Sequence, residues 1–169
     1  MPENYGAGLA WQAATSWTLA TDVQKIRYSQ VGSVGNSISR LLAGAPLGAA
    51  DGPGFGWRDV MVWKLGTEYR WSPDLAVRAG YSHNGQPVPA GETFFNILAP
   101  GVVQDHYAVG ATWKIGGGEL SGFFSLAPGK TVQGSNSIPP DNPPGGFGGG
   151  EANVRLKETV VGIAYGWKL

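Results

Sequence analysis

Seven stretches of this chain alternate between apolar and small or polar residues with a period of two, the repeat of a β-strand whose successive side chains leave opposite faces. They span residues 5–13, 16–28, 57–71, 74–83, 104–115, 118–127 and 154–169. In the last of them Val161, Ile163, Tyr165, Trp167 and Leu169 share one face, and Glu158, Val160, Gly162, Ala164, Gly166 and Lys168 share the other. Met61, Trp63, Leu65, Thr67 and Tyr69 likewise oppose Lys64, Gly66, Glu68 and Arg70, with Val60 and Val62 as apolar exceptions on the polar side. Leu75, Val77, Ala79 and Tyr81 oppose Arg78, Gly80 and Ser82, while Tyr107, Val109, Ala111 and Trp113 oppose His106, Ala108, Gly110, Thr112 and Lys114. In these segments charges are expected on one parity only.

Aromatic residues gather at the ends of the segments. Trp11, Trp17, Tyr69, Trp71, Trp113 and Trp167 stand near short turns, and Tyr5, Tyr28, Trp57, Tyr81 and Tyr107 near long connections. Two aromatic belts around an apolar band is how strands look when their neighbour is lipid. An Arg on a lipid face at the bilayer midplane costs about 2–4 kcal/mol, so Arg78 marks the face turned away from lipid.

The connections alternate strictly in length. Ala14-Thr15, Ser72-Pro73 and Gly116-Gly117 are tight, whereas 29–56, 84–103 and 128–153 are loops of 20 residues or more. Loops of that length are uncommon in compact soluble domains and routine on the outer side of a bacterial outer-membrane barrel, whose inner-side turns are short. The expected fold is therefore all-β, a transmembrane antiparallel β-barrel, in one domain covering residues 1–169.

Two segments fit less cleanly. In 16–28, Trp17, Leu19, Thr21 and Val23 face out and Asp22 and Gln24 face in, but Lys25 and Arg27 then take the lipid parity and Ile26 and Tyr28 the inner one. Either a β-bulge near Gln24 exchanges the faces, or this end projects above the bilayer. In 118–127, Leu120, Phe124 and Leu126 point outward while Phe123 points inward, where it projects into the interior or touches a ligand. Among the loops, residues 36–42 suit one or two helical turns with Ile38, Leu41 and Leu42 on one side. Segment 84–103 carries the apolar residues Phe94, Phe95, Ile97 and Leu98, which either line an entrance for a greasy solute or pack to close the cap. Segment 128–153 is so rich in Pro and Gly that it is expected to be mobile.

Composition narrows the function. The 12 basic and 12 acidic residues balance, so no positive field draws a nucleic acid. No Cys is present, which removes disulfides and thiolate metal sites. No apolar run reaches the length of a transmembrane helix, a fact without bearing on a barrel. Met1-Pro2-Glu3-Asn4 has none of the pattern of a signal peptide, which an outer-membrane protein needs, so either that segment is removed or the chain starts inside a longer protein.

Catalytic signals are weak. His83 and His106 lack metal spacing, and His106 follows Asp105, which as a strand neighbour points to the opposite face. Ala127-Pro128-Gly129-Lys130-Thr131 resembles the end of a phosphate-binding loop, yet Phe124 stands where the first glycine is required. Gly52 to Gly56 precedes a strand rather than a helix, the wrong setting for a dinucleotide turn. No enzyme and no cofactor are expected. The inward ionisable set Asp22, Lys64, Glu68, Arg70, Arg78, His106, Lys114, Glu119, Glu158 and Lys168 carries both signs and can pair across strands. Lys64 or Arg78, farther from the short-turn rim than Arg70 or Lys168, can instead attract the polar head of a substrate.

In its order of segments the chain resembles the C-terminal half of the outer-membrane transport proteins for hydrophobic compounds, the family of long-chain fatty acid and aromatic hydrocarbon transporters. The likeness rests on Trp17-Thr18-Leu19-Ala20-Thr21-Asp22-Val23 within strand 10–28, and on Gly56-Trp57-Arg58-Asp59-Val60 leading to Lys64-Leu65-Gly66-Thr67-Glu68-Tyr69. Arg78-Ala79-Gly80-Tyr81 followed by Pro87-Val88-Pro89, and the closing strand, complete it. The resemblance implies a fourteen-stranded barrel in a Gram-negative outer membrane, of which this chain holds the last seven strands. It also implies an N-terminal plug, and a route from an extracellular groove through an internal pocket to an opening in the wall.

The missing N-terminal half or plug would be a partner, because the first and last strands of an open sheet leave backbone groups unpaired at several kcal/mol each in lipid. Lys64 is the residue carried over from the family's ligand positions, beside the positional candidates Arg78, Phe123, Phe94 and Phe95. The function expected is passive transport of long-chain fatty acids or other hydrophobic small molecules. The alternatives are a structural or adhesive barrel whose loops bind a macromolecule, a membrane-embedded lipid-modifying enzyme for which no nucleophile and base stand out, and a soluble β-sandwich.

Overall fold

The computed structural model of the chain describes residues 1–141 and 146–167, so Lys168, Leu169 and the Pro/Gly segment 142–145 lie outside the described residues. Among the described residues seven strands form one antiparallel sheet: β1 (Glu3–Ala14), β2 (Trp17–Arg27), β3 (Val60–Arg70), β4 (Leu75–Asn84), β5 (Asp105–Ile115), β6 (Gly118–Val132) and β7 (Val154–Trp167). Their spatial order is the chain order. Each strand pairs only with its sequence neighbours, and β1 and β7 are edges that do not meet.

The turn between β5 and β6 illustrates how local chemistry sets this meander. Gly116 and Gly117 have φ of +59° and +82°, the two left-handed residues a tight hairpin turn demands and glycine supplies at no steric cost.

Register carries the alternation across the whole sheet. Thr21 lies beside Leu65, Leu65 beside Tyr81, Tyr81 beside Tyr107 and Tyr107 beside Leu126, one continuous outward row. Much of this outward face is uncovered: Val161 and Ile163 are 75% and 80% exposed, while Tyr81 and Leu126 are half-buried between their strand neighbours. In water such a surface would be an association hazard, whereas beside acyl chains it is the stable arrangement.

The β1–β2 ladder shifts register only by the short turn, at Gln12–Ala14, and from Thr18 to Ile26 β2 runs in unbroken register with both β1 and β3, so the bulge near Gln24 does not exist. Lys25 and Arg27 keep the outward parity at the loop end, where Arg27 meets Glu3 at 3.4 Å. Ile26 faces inward beside Val60, itself 5% exposed, because at this height a cap of loops rather than water fills the interior. The same cap accounts for the apolar exceptions at the start of β3.

The charge rule has further exceptions, again at the loop end: His83 and Asp105 stand outward, paired in register, and so do Arg155 and Lys157 on β7.

β6 extends well past the expected residue 127, to Val132, through a bulge at Pro128–Gly129. That extra residue reverses the parity of β6, so that Ala127 and then Lys130 and Val132 all face inward.

The buried core lies in the cap. Val88, Val102 and Val154 pack together, with Trp57, Val132 and Leu156 against them. Two short helices, α1 (Gly32–Gly35) and α2 (Ser39–Leu42), belong to the first loop. Of the three apolar residues expected on one helical side, Ile38 is buried and Leu42 is exposed.

Trp57 and Tyr28, expected in the outer aromatic belt, are cap residues instead: their rings meet edge to face at 5.0 Å, and Trp57 Nε1 donates to Asn96 Oδ1. Nor do the described parts of the third loop have the few contacts expected of a mobile segment. Ser137 is 1% exposed and accepts from Ala152 N, while Ile138 N donates to Gly150 O.

Candidate functional site

The inward face of the sheet forms a wall of small residues on which a few functional side chains stand out. Gly66, Gly80 and Ala108 occupy one row, and Gly110 and Gly162 the next. With so little volume along these rows, each larger side chain has its own setting.

Lys64 lies between Asp22 and Ser82 in register. Proximity would suggest an ion pair with Asp22, but that carboxylate leans over Gly8, where a Cβ would collide with it. Lys64 Nζ reaches Gln24 Oε1 at 3.4 Å, and among the described residues no carboxylate lies within ion-pair distance of it.

Arg78 differs. Its Nε donates to Glu68 Oε2 at 2.7 Å and its Nη1 to Thr112 Oγ1 at 2.8 Å, and Thr112 shares a hydrogen with Ser121 at 2.9 Å. Glu68 also faces Arg70 at 3.6 Å, so one carboxylate serves two guanidinium groups. Arg78 is thus anchored in a chain across β3 to β6. Farther along the wall His106 faces Glu158 at 4.0 Å.

Phe123 projects inward as expected. Its ring lies across Gly162, in the space a Cβ there would take, with Gly110 on its other side. It remains 49% exposed and so offers one aromatic face to the interior.

Phe94 and Phe95 belong to the cap and are not brought together with these wall residues. Phe95 stacks on Phe55 at 5.1 Å, while Phe94 meets Phe147 at 5.1 Å. Each closes the cap against an aromatic of another loop. Ile97 and Leu98, from the same apolar run, stay 56% and 74% exposed.

The cap is held by specific hydrogen bonds to its middle loop. Asn96, fully buried, donates to Phe55 O and Glu92 O and accepts from Trp57. Glu92 accepts from Ile38 N at 3.1 Å, and Thr93 Oγ1 donates to Ala152 O at 2.6 Å. At its edge Ser29 donates from both N and Oγ to Asp59 Oδ1, which holds the Asp59 carboxyl below the usual carboxylate range.

One cluster escaped the sequence reading. On the outward face Asp105 Oδ1 accepts from Tyr81 OH at 2.7 Å and lies 2.8 Å from His83 Nδ1. Asp105 therefore pairs with the histidine across the ladder and not with His106 beside it. The parity of His83 and Asp105 was readable, but their partnership depended on strand register. Among the described residues no group of three His, Asp or Glu is arranged to hold a metal.

Residues 1–120 match the family profile described as outer membrane protein transport protein (OMPP1/FadL/TodX). No curated protein matches the chain. Among solved structures, the toluene transporter TodX of Pseudomonas putida is 17% identical with a TM-score of 0.61, over 100% of this chain and 35% of that one. The toluene transporter TbuX of Ralstonia pickettii is 16% identical with a TM-score of 0.55, over 99% and 33%. The chain spans about a third of the length of these structures, and at such identities the likeness is one of fold.

Proposed function

Because this chain belongs to the outer membrane protein transport protein family (OMPP1/FadL/TodX), we propose that it is the C-terminal wall of a larger barrel through which hydrophobic small molecules pass passively. It is an outer-membrane protein of a Gram-negative bacterium, of a family of transport proteins rather than enzymes. Closing the sheet calls for further strands bonded to β1 and β7, since lipid offers no hydrogen bonds to their free edges. Fourteen strands with an N-terminal plug is the arrangement that the resemblance implies, the partner being the remaining part of the same barrel.

The observation that carries the transport reading is the pairing, on one inward wall, of an ammonium without a carboxylate partner among the described residues and a half-exposed aromatic ring. Lys64 would attract a carboxylate or other polar head, and Phe123 would give the apolar body a surface to leave water against, worth roughly 25 cal/mol per Å². Arg78, anchored by Glu68, would widen the positive side of the wall. Phe94 and Phe95 would shape the entrance beneath exposed Ile97 and Leu98. Modest binding at each step suits passage, since tight binding would slow release. Long-chain fatty acids and apolar molecules such as the toluene named for TodX and TbuX are the substrate classes that fit.

The test is uptake of a labelled long-chain fatty acid and of a labelled monoaromatic by vesicles holding the full-length protein. Lys64→Gln should slow the acid selectively, and Phe123→Ala should slow both. Uptake of neither class, in protein shown to be folded, would refute transport and favour the adhesive barrel.

A further inference from the structure

Beyond the row of Tyr81, Tyr107, Leu126 and Thr159, the β6–β7 ribbon continues past the outward tyrosines with two unlike faces. Val132, Val154 and Leu156 turn inward onto the cap core. Arg155 and Lys157 alternate with them, face outward and are exposed.

The bulge gives the two cations a common floor. A Cβ at Gly129 would meet the Arg155 guanidinium nitrogens at 3.3 and 3.5 Å and Lys157 Cβ at 3.7 Å. Because Gly129 has no side chain, this floor is open. Among the described residues no carboxylate lies within ion-pair distance of either cation.

Their height sets the choice of partner. Lys157 and Arg155 stand two and four residues beyond Thr159, roughly 7 and 13 Å along the strand from the tyrosine row. Tyrosines of such a belt sit at the lipid head groups. With strands tilted about 35–45°, the cations stand only about 5 and 10 Å above that row, and their long side chains reach back to the lipid phosphates. Below them runs an apolar strip of half-buried Leu126 and exposed Phe124, Val161 and Ile163.

We propose that Arg155 and Lys157 form a docking site for the phosphate head group of a lipid in the leaflet on the long-loop side, its acyl chain lying along that strip. The Arg fork can take two phosphate oxygens and the Lys ammonium a third. Continuity between the cation pair and the apolar strip selects a lipid over a soluble anion. The inference rests on reading the sheet as a barrel wall in the outer membrane.

The experiment uses the full-length protein in phosphatidylcholine vesicles containing spin-labelled phosphatidic acid or spin-labelled phosphatidylcholine. The motionally restricted fraction of each label is measured, with folding checked by heat-modifiable electrophoretic mobility. Phosphatidic acid should be enriched about threefold or more at the protein surface, and R155Q/K157Q should bring it level with phosphatidylcholine. Lys25→Gln, outward on β2 at the other side of the sheet, should keep the enrichment. If the double variant fails to fold, R155Q and K157Q singly should each lower the enrichment. A restricted fraction without preference, or a preference that survives R155Q/K157Q or vanishes in K25Q, overturns the docking site and leaves the barrel reading standing. Absence of any restricted label for folded protein overturns both.

Discussion

Adjacent residues of β5 give the sharpest test of which face meets lipid. Val109 is outward and 56% exposed, midway along the strand between Ala79 and Phe124. Ala108 is inward between Gly80 and Ser125, with small neighbours on both sides. Val109→Arg puts a guanidinium near the bilayer centre, at about 2–4 kcal/mol, or a factor of roughly 30 to 1,000 in the folding equilibrium. Ala108→Arg meets a wet interior with space above two small residues and should cost less than about 1 kcal/mol. Urea titration of the full-length protein folded into phospholipid vesicles, followed by heat-modifiable mobility, measures both. The expected gap is at least about 1 kcal/mol in favour of A108R. Equal costs, or a larger cost for A108R, would refute the assignment of the faces and with it the membrane reading.

Asn96→Ala should strip the cap of three hydrogen bonds and leave Phe55 O and Trp57 Nε1 without that partner, destabilising the loop cluster by about 1–3 kcal/mol. Limited proteolysis should then cut the loops faster while the strands stay protected. For Asp59 the sign follows from its partner: the Ser29 hydrogen bonds lower the folded pKa, so their stabilisation is complete above the ordinary Asp range near about pH 4 and is lost as pH falls through the lowered value. Trp57 fluorescence in the full-length protein should report loosening of the first loop below that range, and Asp59→Asn should flatten the profile. An unchanged acid transition in D59N would exclude Asp59 as its source.

The sheet was legible because lipid imposes a rule on each strand separately. Leu65 and Trp63 announce their face without knowledge of β2 or β4, and Gly116-Gly117 announces its turn within two residues. The cap was not legible for the opposite reason. Trp57 looks like a belt residue until Asn96, far along the chain, accepts its indole hydrogen. Ile26 and Val60 look misplaced on the inner parity until the loops that cover them are known. At the candidate site the parity of Lys64, Arg78 and Phe123 could be read, but not which cation was free. Asp22 is opposite Lys64 in register and turns over Gly8 instead, and only side-chain geometry separates those outcomes.

The middle loop bonds to both of its neighbours, through Glu92 to Ile38, through Asn96 to Phe55 and Trp57, and through Thr93 to Ala152. Length changes close to these anchors would disturb three segments at once, whereas the tip around Gly44 to Gly48, with exposed Leu47, touches little and is the natural place for inserting a tag or epitope. The lid over this wall should accordingly loosen as a unit, and a cross-link tying any two of its loops should stiffen the third.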